Sequence, residues 1–333
     1  MNKTFLSKSN YCKCVQCEKI LWLNKYKPEF SQVETNESVF ETGRQVGELA
    51  KRLFGDYKDI PYDKNIKVRL EKTEQLLQDK TNIITEASFI YDNNFCSVDI
   101  LKNDRDGVEI YEVKSSTKIK DVYLDDATYQ YFVLSKLGLN VKKVAIVFIN
   151  NEYIRGKELD IENLFNIEDI TSIAIEKQDE IRSNIDFINK FMEDHDRDNE
   201  PVKEIGKYCF DPYSCIFWDY CTAELPKPNV FDVSGMYKSK KFEKYYEGKI
   251  SFEDLENENL NPKYLEQIEF ELNDKKPKIH KNAIKDLIES LVYYISLIMK
   301  LVNMQYLNTK KQNHISKYHS NTHYISLKKK VLL

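Results

Sequence analysis

Asp99, Glu112 and Lys114 stand on two short runs of β-forming residues joined by a tight turn. Asp99 is the centre of Ser97-Val98-Asp99-Ile100-Leu101, and Glu112 and Lys114 belong to the return run Val108 to Ser116. The Asp106-Gly107 pair between them is a strong hairpin signal. Strand residues alternate faces, so Glu112 and Lys114 project together while Val113 turns to the other side. Two carboxylates on adjacent strands can share a divalent cation through hard oxygen ligands. A lysine beside them can hold or deprotonate a water and stabilise charge on a phosphate. Alternating charge alone is common on solvated strands. The Asp on the partner strand, the hairpin and a following helix with Gln130 lift this pattern above that background.

A second group is made of sulfur. Cys209, Cys215 and Cys221 are spaced C-x5-C-x5-C among Tyr208, Phe210, Tyr213, Phe217, Trp218 and Tyr220. Structural zinc usually takes pairs roughly two to four residues apart, which fits this spacing poorly. Thiolates with aromatic shielding suit an iron–sulfur cluster, which takes four cysteines and limited solvent. The fourth must come from elsewhere, and Cys12, Cys14 and Cys17 near the amino terminus are the supply, with zinc as the alternative. In a reducing compartment clustered cysteines point to metal or reactivity, not structural disulfides. Cys96 stands alone and reads as a small core residue.

These groups need elements to position them. Residues 9–26 read as one partly apolar helix ending before Pro28. Residues 37–54 read as a second, closed by Gly55, whose Gly43 and Gly47 would let another backbone approach closely. Residues 83–91, containing Glu86, read as a strand leading into the hairpin. A helix begins near Asp125-Asp126, passes Gln130 and stops at Gly138. The apolar run Val144 to Ile149 is that of a strand buried on both faces. The order is that of an α/β domain with a mixed sheet. Residues 161–192 are acidic and mostly helical, residues 231–274 are charged and aromatic with no clear core, and residues 283–295 form an amphipathic helix. Lys238-Ser239-Lys240-Lys241 reads as a solvated face.

Asp99, then Glu112-Val113-Lys114, then Gln130 in a helix, resembles the PD-(D/E)xK nuclease superfamily, above all its RecB-type branch, which includes CRISPR-associated exonucleases. The resemblance spans residues 5–225 and implies a restriction-endonuclease-like mixed sheet flanked by helices. It also implies metal-dependent cleavage of DNA, single-stranded or with free ends. Mg²⁺ or Mn²⁺ would be held by Asp99 and Glu112 with the Val113 carbonyl. Lys114 would position or activate water for in-line attack, and Gln130 would bind substrate or orient the lysine. Related enzymes carry an acidic residue or a histidine on an early helix. Gly47 stands near that place here, Glu41 and Glu48 face away from the apolar side, and Glu86 is an alternative third ligand. Iron–sulfur members place one cysteine before the core and three after it. Cys17 is therefore expected to join Cys209, Cys215 and Cys221 around a structural [4Fe–4S] cluster that ties residues 9–26 to the far end of the core. Cys12 and Cys14 are rivals for the leading position.

The resulting plan has a nuclease domain over 1–225 closed by the cysteine cluster, a charged helical extension over 226–290, and an atypical tail over 291–333. After Glu289 the chain has no Asp or Glu, and His314, His319 and His323 fall there. The tail reads as a disordered basic segment, a nucleic-acid arm, or sequence translated out of frame past Tyr293. Relatives continue instead into a second domain with a D-[FY]-E-T-like motif. The chain has 333 residues and a net charge of −4, with no secretory signal, so a cytoplasmic protein with a local basic groove is expected and no membrane partner. Two other classes stay open: an inert nucleic-acid-binding scaffold, and a zinc-held interaction module.

Overall fold

The predicted hairpin is the middle of a seven-stranded mixed sheet in the computed structural model, which describes residues 3–32, 37–273 and 279–312, with backbone alone at 37–40 and 300–312. The strands are β1 (Leu6–Ser7), β2 (Lys58–Asp59), β3 (Ile83–Tyr91), β4 (Asn94–Asp104), β5 (Gly107–Lys114), β6 (Val141–Ile149) and β7 (Phe165–Asp169). They lie in the order β2-β3-β4-β5-β6-β7, with β1 added beside β4. β3, β4 and β5 are antiparallel neighbours, β6 is parallel to β5, and β7 returns antiparallel. The helices before the cysteine run are α1 (Lys8–Gln16), α2 (Glu18–Tyr26), α3 (Glu37–Ala50), α4 (Ile66–Gln78), α5 (Asp121–Lys136), α6 (Ile161–Leu164), α7 (Thr171–Glu176) and α8 (Gln178–Asp194). After it come α9 (Trp218–Cys221), α10 (Lys238–Tyr246), α11 (Phe252–Leu255), α12 (Pro262–Leu272) and α13 (Lys281–Gln312).

The sheet is covered on both faces. Tyr11, Ala127, Tyr129, Val133, Ile181 and Ile185 form one layer over Val98, Leu101, Ile110 and Ile146. Val46 and Ala50 of α3 pack against Ile100, Tyr111, Ala145 and Val147 from the other side. Val144 to Val147 are fully buried, as a strand covered twice must be. The hairpin turn depends on Gly107. Its φ is +143°, and a Cβ there would lie 2.2 Å from the Asn140 carbonyl oxygen, so a side chain has no room.

Several elements differ from the sequence reading. The single helix over 9–26 is broken at Cys17, whose backbone is extended (φ −161°, ψ 114°). α5 starts at Asp121, four residues before the acidic pair. β1, β2 and β7 are added, the last inside the stretch expected to be helical. Among the described residues Gly43 and Gly47 face open space, and no backbone approaches α3 there. Residues 231–255 do have a core: Phe231, Phe242 and Tyr245 pack with Phe210 and Trp218. Lys240 pairs with Glu243, and Lys241 donates to the Phe231 carbonyl.

The chain forms two compact units, Met1–Leu255 and Glu256–Leu333. The second contains α12 and α13, the latter longer than the helix expected over 283–295. Residues 313–333, the later part of the tail discussed above, lie outside the described residues. Among the described residues no helix is long and apolar enough to cross a membrane.

Candidate active site and cysteine centre

β4 changes partner along one edge. β1 pairs with it at Asn94 and Phe95, whereas β5 pairs with it from Ile100 to Asp104. Asp99 lies in the opening between the two partners, and its Oδ2 accepts the Val113 amide at 2.7 Å. In an extended residue the N–H and C=O project to the same edge, so the Val113 carbonyl faces this opening too. The register brackets Asp99 opposite Glu86 on β3, and one step beyond Ile100↔Tyr111 brings Glu112 level with it on β5. Three carboxylates therefore form a row across three strands.

Glu86 carries the strain of this row. Its φ is +59°, a left-handed backbone that a long side chain adopts at a cost of about 1–3 kcal/mol. Burial raises its carboxyl above the ordinary range, and among the described residues it has no hydrogen-bond partner. Glu86→Gly is expected to stabilise the metal-free protein by about 1 kcal/mol, after the entropic cost of glycine is subtracted. Thermal melting in chelator checks this; a lower Tm would show that the backbone is held without strain.

Glu112 is the most enclosed of the three, with its side chain 2% exposed. Its Oε1 accepts from Lys114 Nζ at 2.8 Å and from Lys8 Nζ at 2.8 Å. Its Oε2 accepts from Lys8 Nζ at 3.0 Å and from Gln130 Nε2. Burial opposes ionisation of Glu112, but the Lys114 and Lys8 ammonium groups outweigh it and hold the carboxyl below the ordinary range. Asp99 moves the other way, pushed up by burial and then by the Glu112 charge. Lys114 is also ion-paired with Asp126, which in turn accepts the Cys12 thiol at 3.1 Å. Desolvation works against the Lys114 ammonium, yet Glu112 and Asp126 keep it protonated beyond the ordinary lysine range.

Asp99, Glu112, Lys114, Gln130 and Glu86 thus come together, and two of their contacts differ from those expected. Gln130 donates to Glu112 and so orients the carboxylate; it is Asp126 that orients the lysine. Lys114 is a fixed ammonium, which suits it to holding water or charge, while proton abstraction by it is opposed. Glu41 and Glu48 do not enter the site: Glu41 pairs with Arg44, and Glu48 with Lys51. Two members were missed. Asp126 belongs to the acidic pair read only as a helix signal, one turn before Gln130. Lys8 has no pattern signal at all, because the two-residue pairing of β1 with β4 brings it here.

The sulfur residues converge separately. Cys17, Cys209, Cys215 and Cys221 line one cavity of about 20 Å³, together with Ile20, Leu23, Ile205, Tyr208 and Trp218. Cys12 lies on Asp126, and Cys14 is buried in the main core; neither lines the cavity. The break at Cys17 turns its side chain out of the helix. Backbone amides of Gly206 and Phe217 point at the sulfurs of Cys209 and Cys215, each at 3.5 Å. Burial raises the Cys17 thiol, with the Lys19 and Ile20 amides opposing it, and pushes Cys209 and Cys221 up to about 11. Phe210, Trp218, Phe231 and Phe242 close the outer side.

Around this cavity residues 16–27, with α2 at their centre, are fastened to residues 196–220. Glu200 accepts from Lys19 at 2.8 Å and Lys27 at 2.7 Å, and Lys203 donates to Glu18 at 2.9 Å. Trp22 Nε1 donates to the Asp196 carbonyl at 2.8 Å, and Gln16 Nε2 to the Tyr208 and Tyr213 carbonyls at 2.7 Å.

Among the described residues no group of three or more His, Cys, Asp or Glu side chains is closed up in a metal-binding arrangement. The donor chemistry fits two different groups. Hard carboxylate oxygens, the like-charge pressure on Asp99 and the partnerless buried Oε1 of Gln130 suit a small divalent cation. Four thiols with amide N–H groups aimed at sulfur suit an iron–sulfur cluster. No family model and no curated protein matches the chain.

Proposed function

We propose that the protein is a metal-dependent deoxyribonuclease that hydrolyses phosphodiester bonds, an exonuclease acting on single strands or free ends. The observation that carries this reading is the convergence of Asp99, Glu112, Lys114 and Gln130 where β4 and β5 part, with Val113 tied to Asp99. It resembles the constellation of a restriction-endonuclease-like core, and the mixed sheet with α5 supports that reading.

Asp99 and Glu112, with the Val113 carbonyl and Glu86 at the flank, would hold Mg²⁺ or Mn²⁺. Bound there, the ion supplies charge neutralisation and Lewis-acid polarisation at the phosphodiester. The residues around it do the positioning. Gln130 fixes the plane of the Glu112 carboxylate. Lys114, oriented by Asp126, presents an ammonium where negative charge develops and holds the water in line with the scissile bond. Cys17, Cys209, Cys215 and Cys221 would hold a [4Fe–4S] cluster whose contribution is structural, since α2 and the cysteine run are what it joins.

The test is cleavage of end-labelled single- and double-stranded DNA with Mg²⁺ or Mn²⁺. Metal-dependent loss of label is expected from the wild type, with Lys114→Ala at least about 100-fold slower. No cleavage by a folded, cluster-loaded wild type would overturn the reading in favour of an inert nucleic-acid scaffold.

A further inference from the structure

Glu112 has no acceptor site left. A carboxylate offers about four lone-pair positions, and Lys8 uses two, Lys114 one and Gln130 one. A hard divalent ion needs direct contact with a carboxylate oxygen. One of the present donors must therefore leave when the ion binds.

The three donors are not equally held. Gln130 is fully buried on α5. Lys114 is anchored on β5 next to its partner and keeps a second ion pair with Asp126. Lys8 is the first residue of α1, reaches Glu112 across 104 positions of sequence, and has its side chain 18% exposed on a long flexible stem. Among the described residues its side-chain hydrogen bonds all go to Glu112, and the charges of Asp99 and Asp126 act on it as well. An ammonium that interacts with Glu112, Asp99 and Asp126 together serves the place of a cation in the metal-free protein.

We propose that Lys8 is the resident counter-cation of this site, and that a divalent ion binds by displacing the Lys8 ammonium from Glu112. The inference rests on the nuclease reading only in assigning Asp99 and Glu112 as metal ligands. It makes metal uptake an exchange of one cation for another, so the carboxylates keep a cationic partner throughout.

Mn²⁺ binding, followed by the loss of the free-ion signal in electron paramagnetic resonance, tests this without turnover. Lys8→Met keeps the stem and removes the competitor; it should bind Mn²⁺ about 10-fold more tightly than wild type, or better. Lys8→Arg sets a planar fork against both oxygens of Glu112 and should bind Mn²⁺ more weakly than wild type. The order Met, Lys, Arg is the signature, and the arginine arm stands even if the methionine variant folds poorly. Glu112→Gln should abolish uptake in each background. Equal or weaker binding in Lys8→Met, with wild type still binding through Glu112, overturns the exchange and leaves the metal site standing. Absence of Mn²⁺ binding in wild type and Lys8→Met alike overturns both.

Discussion

Glu112→Ala is expected to destabilise the metal-free protein by about 3–5 kcal/mol at neutral pH, because it strands buried charge. Lys8 loses both of its hydrogen bonds to Glu112, and Lys114 loses one of its two ion pairs, keeping Asp126 and the Tyr123 ring. The cost is that of the ammonium groups left in an enclosed site, since a few methylenes of packing account for little. Urea unfolding followed by Trp22 and Trp218 fluorescence measures it. Adding Lys8→Met to the same chain should recover part of the loss, because a buried pair replaced on both sides is far less costly than one broken on one side.

The effect has a defined pH dependence. The folded-state value of Glu112 lies below its unfolded value of about 4.3, so its contribution is fully present above that pH. It is lost as pH falls through the folded value, and the gap between wild type and Glu112→Ala should close in that range. Asp99 has the opposite sign. Its folded value lies above the unfolded one, so the native state binds the extra proton and wild-type stability declines as pH rises between the two. Removing the Glu112 charge relieves one of the pressures on Asp99 and should flatten that decline in the variant. A loss smaller than about 1 kcal/mol, or one unchanged between pH 7 and acid, would mean that the lysines find other partners.

Much of the candidate site was legible because its signals are local. Asp106-Gly107 fixes the hairpin, strand alternation puts Glu112 and Lys114 on one face, and one α5 turn separates Asp126 from Gln130. What each group bonds to was not legible, since Gln130 could have reached either Lys114 or Glu112 from the same helical position. Lys8 shows the limit more sharply. It enters the site through two β1 residues that replace β5 beside β4, and a two-residue parallel pairing leaves no periodicity to read. β7 was hidden for a related reason: four of its five residues are exposed, so Phe165 alone marks it as a strand. The cysteine spacing suggested four ligands, but the choice of Cys17 over Cys12 and Cys14 rested on resemblance. The structure adds the extended backbone at Cys17, which splits a helix that composition alone would continue.

Cys215→Ala is expected to remove the iron, sulfide and visible absorbance of anaerobically purified protein, and to cost more stability than any other single cysteine change outside the set. The reason is topological. Cys17 and Cys209 are separated by about 190 residues, and a clip across a loop of that length restrains the unfolded chain by about 5 kcal/mol. The direct links between α2 and the cysteine run persist without the clip, among them Lys19 and Lys27 on Glu200, and they are partly exposed ion pairs worth little individually. Loss of the cluster should therefore loosen α1 and α2 first, seen as faster hydrogen exchange there than in β4 and β5. Lys8 and Cys12 stand on α1, so the same loosening should reach the site through their contacts with Glu112 and Asp126, while Lys114, Asp126 and Gln130 stay on the sheet and α5. Cys14→Ala, which removes a buried thiol that does not line the cavity, should keep iron and sulfide and lose only the small packing contribution of its sulfur. Full iron content in Cys215→Ala, or its loss in Cys14→Ala, would contradict the assignment of the four cavity cysteines as the ligand set.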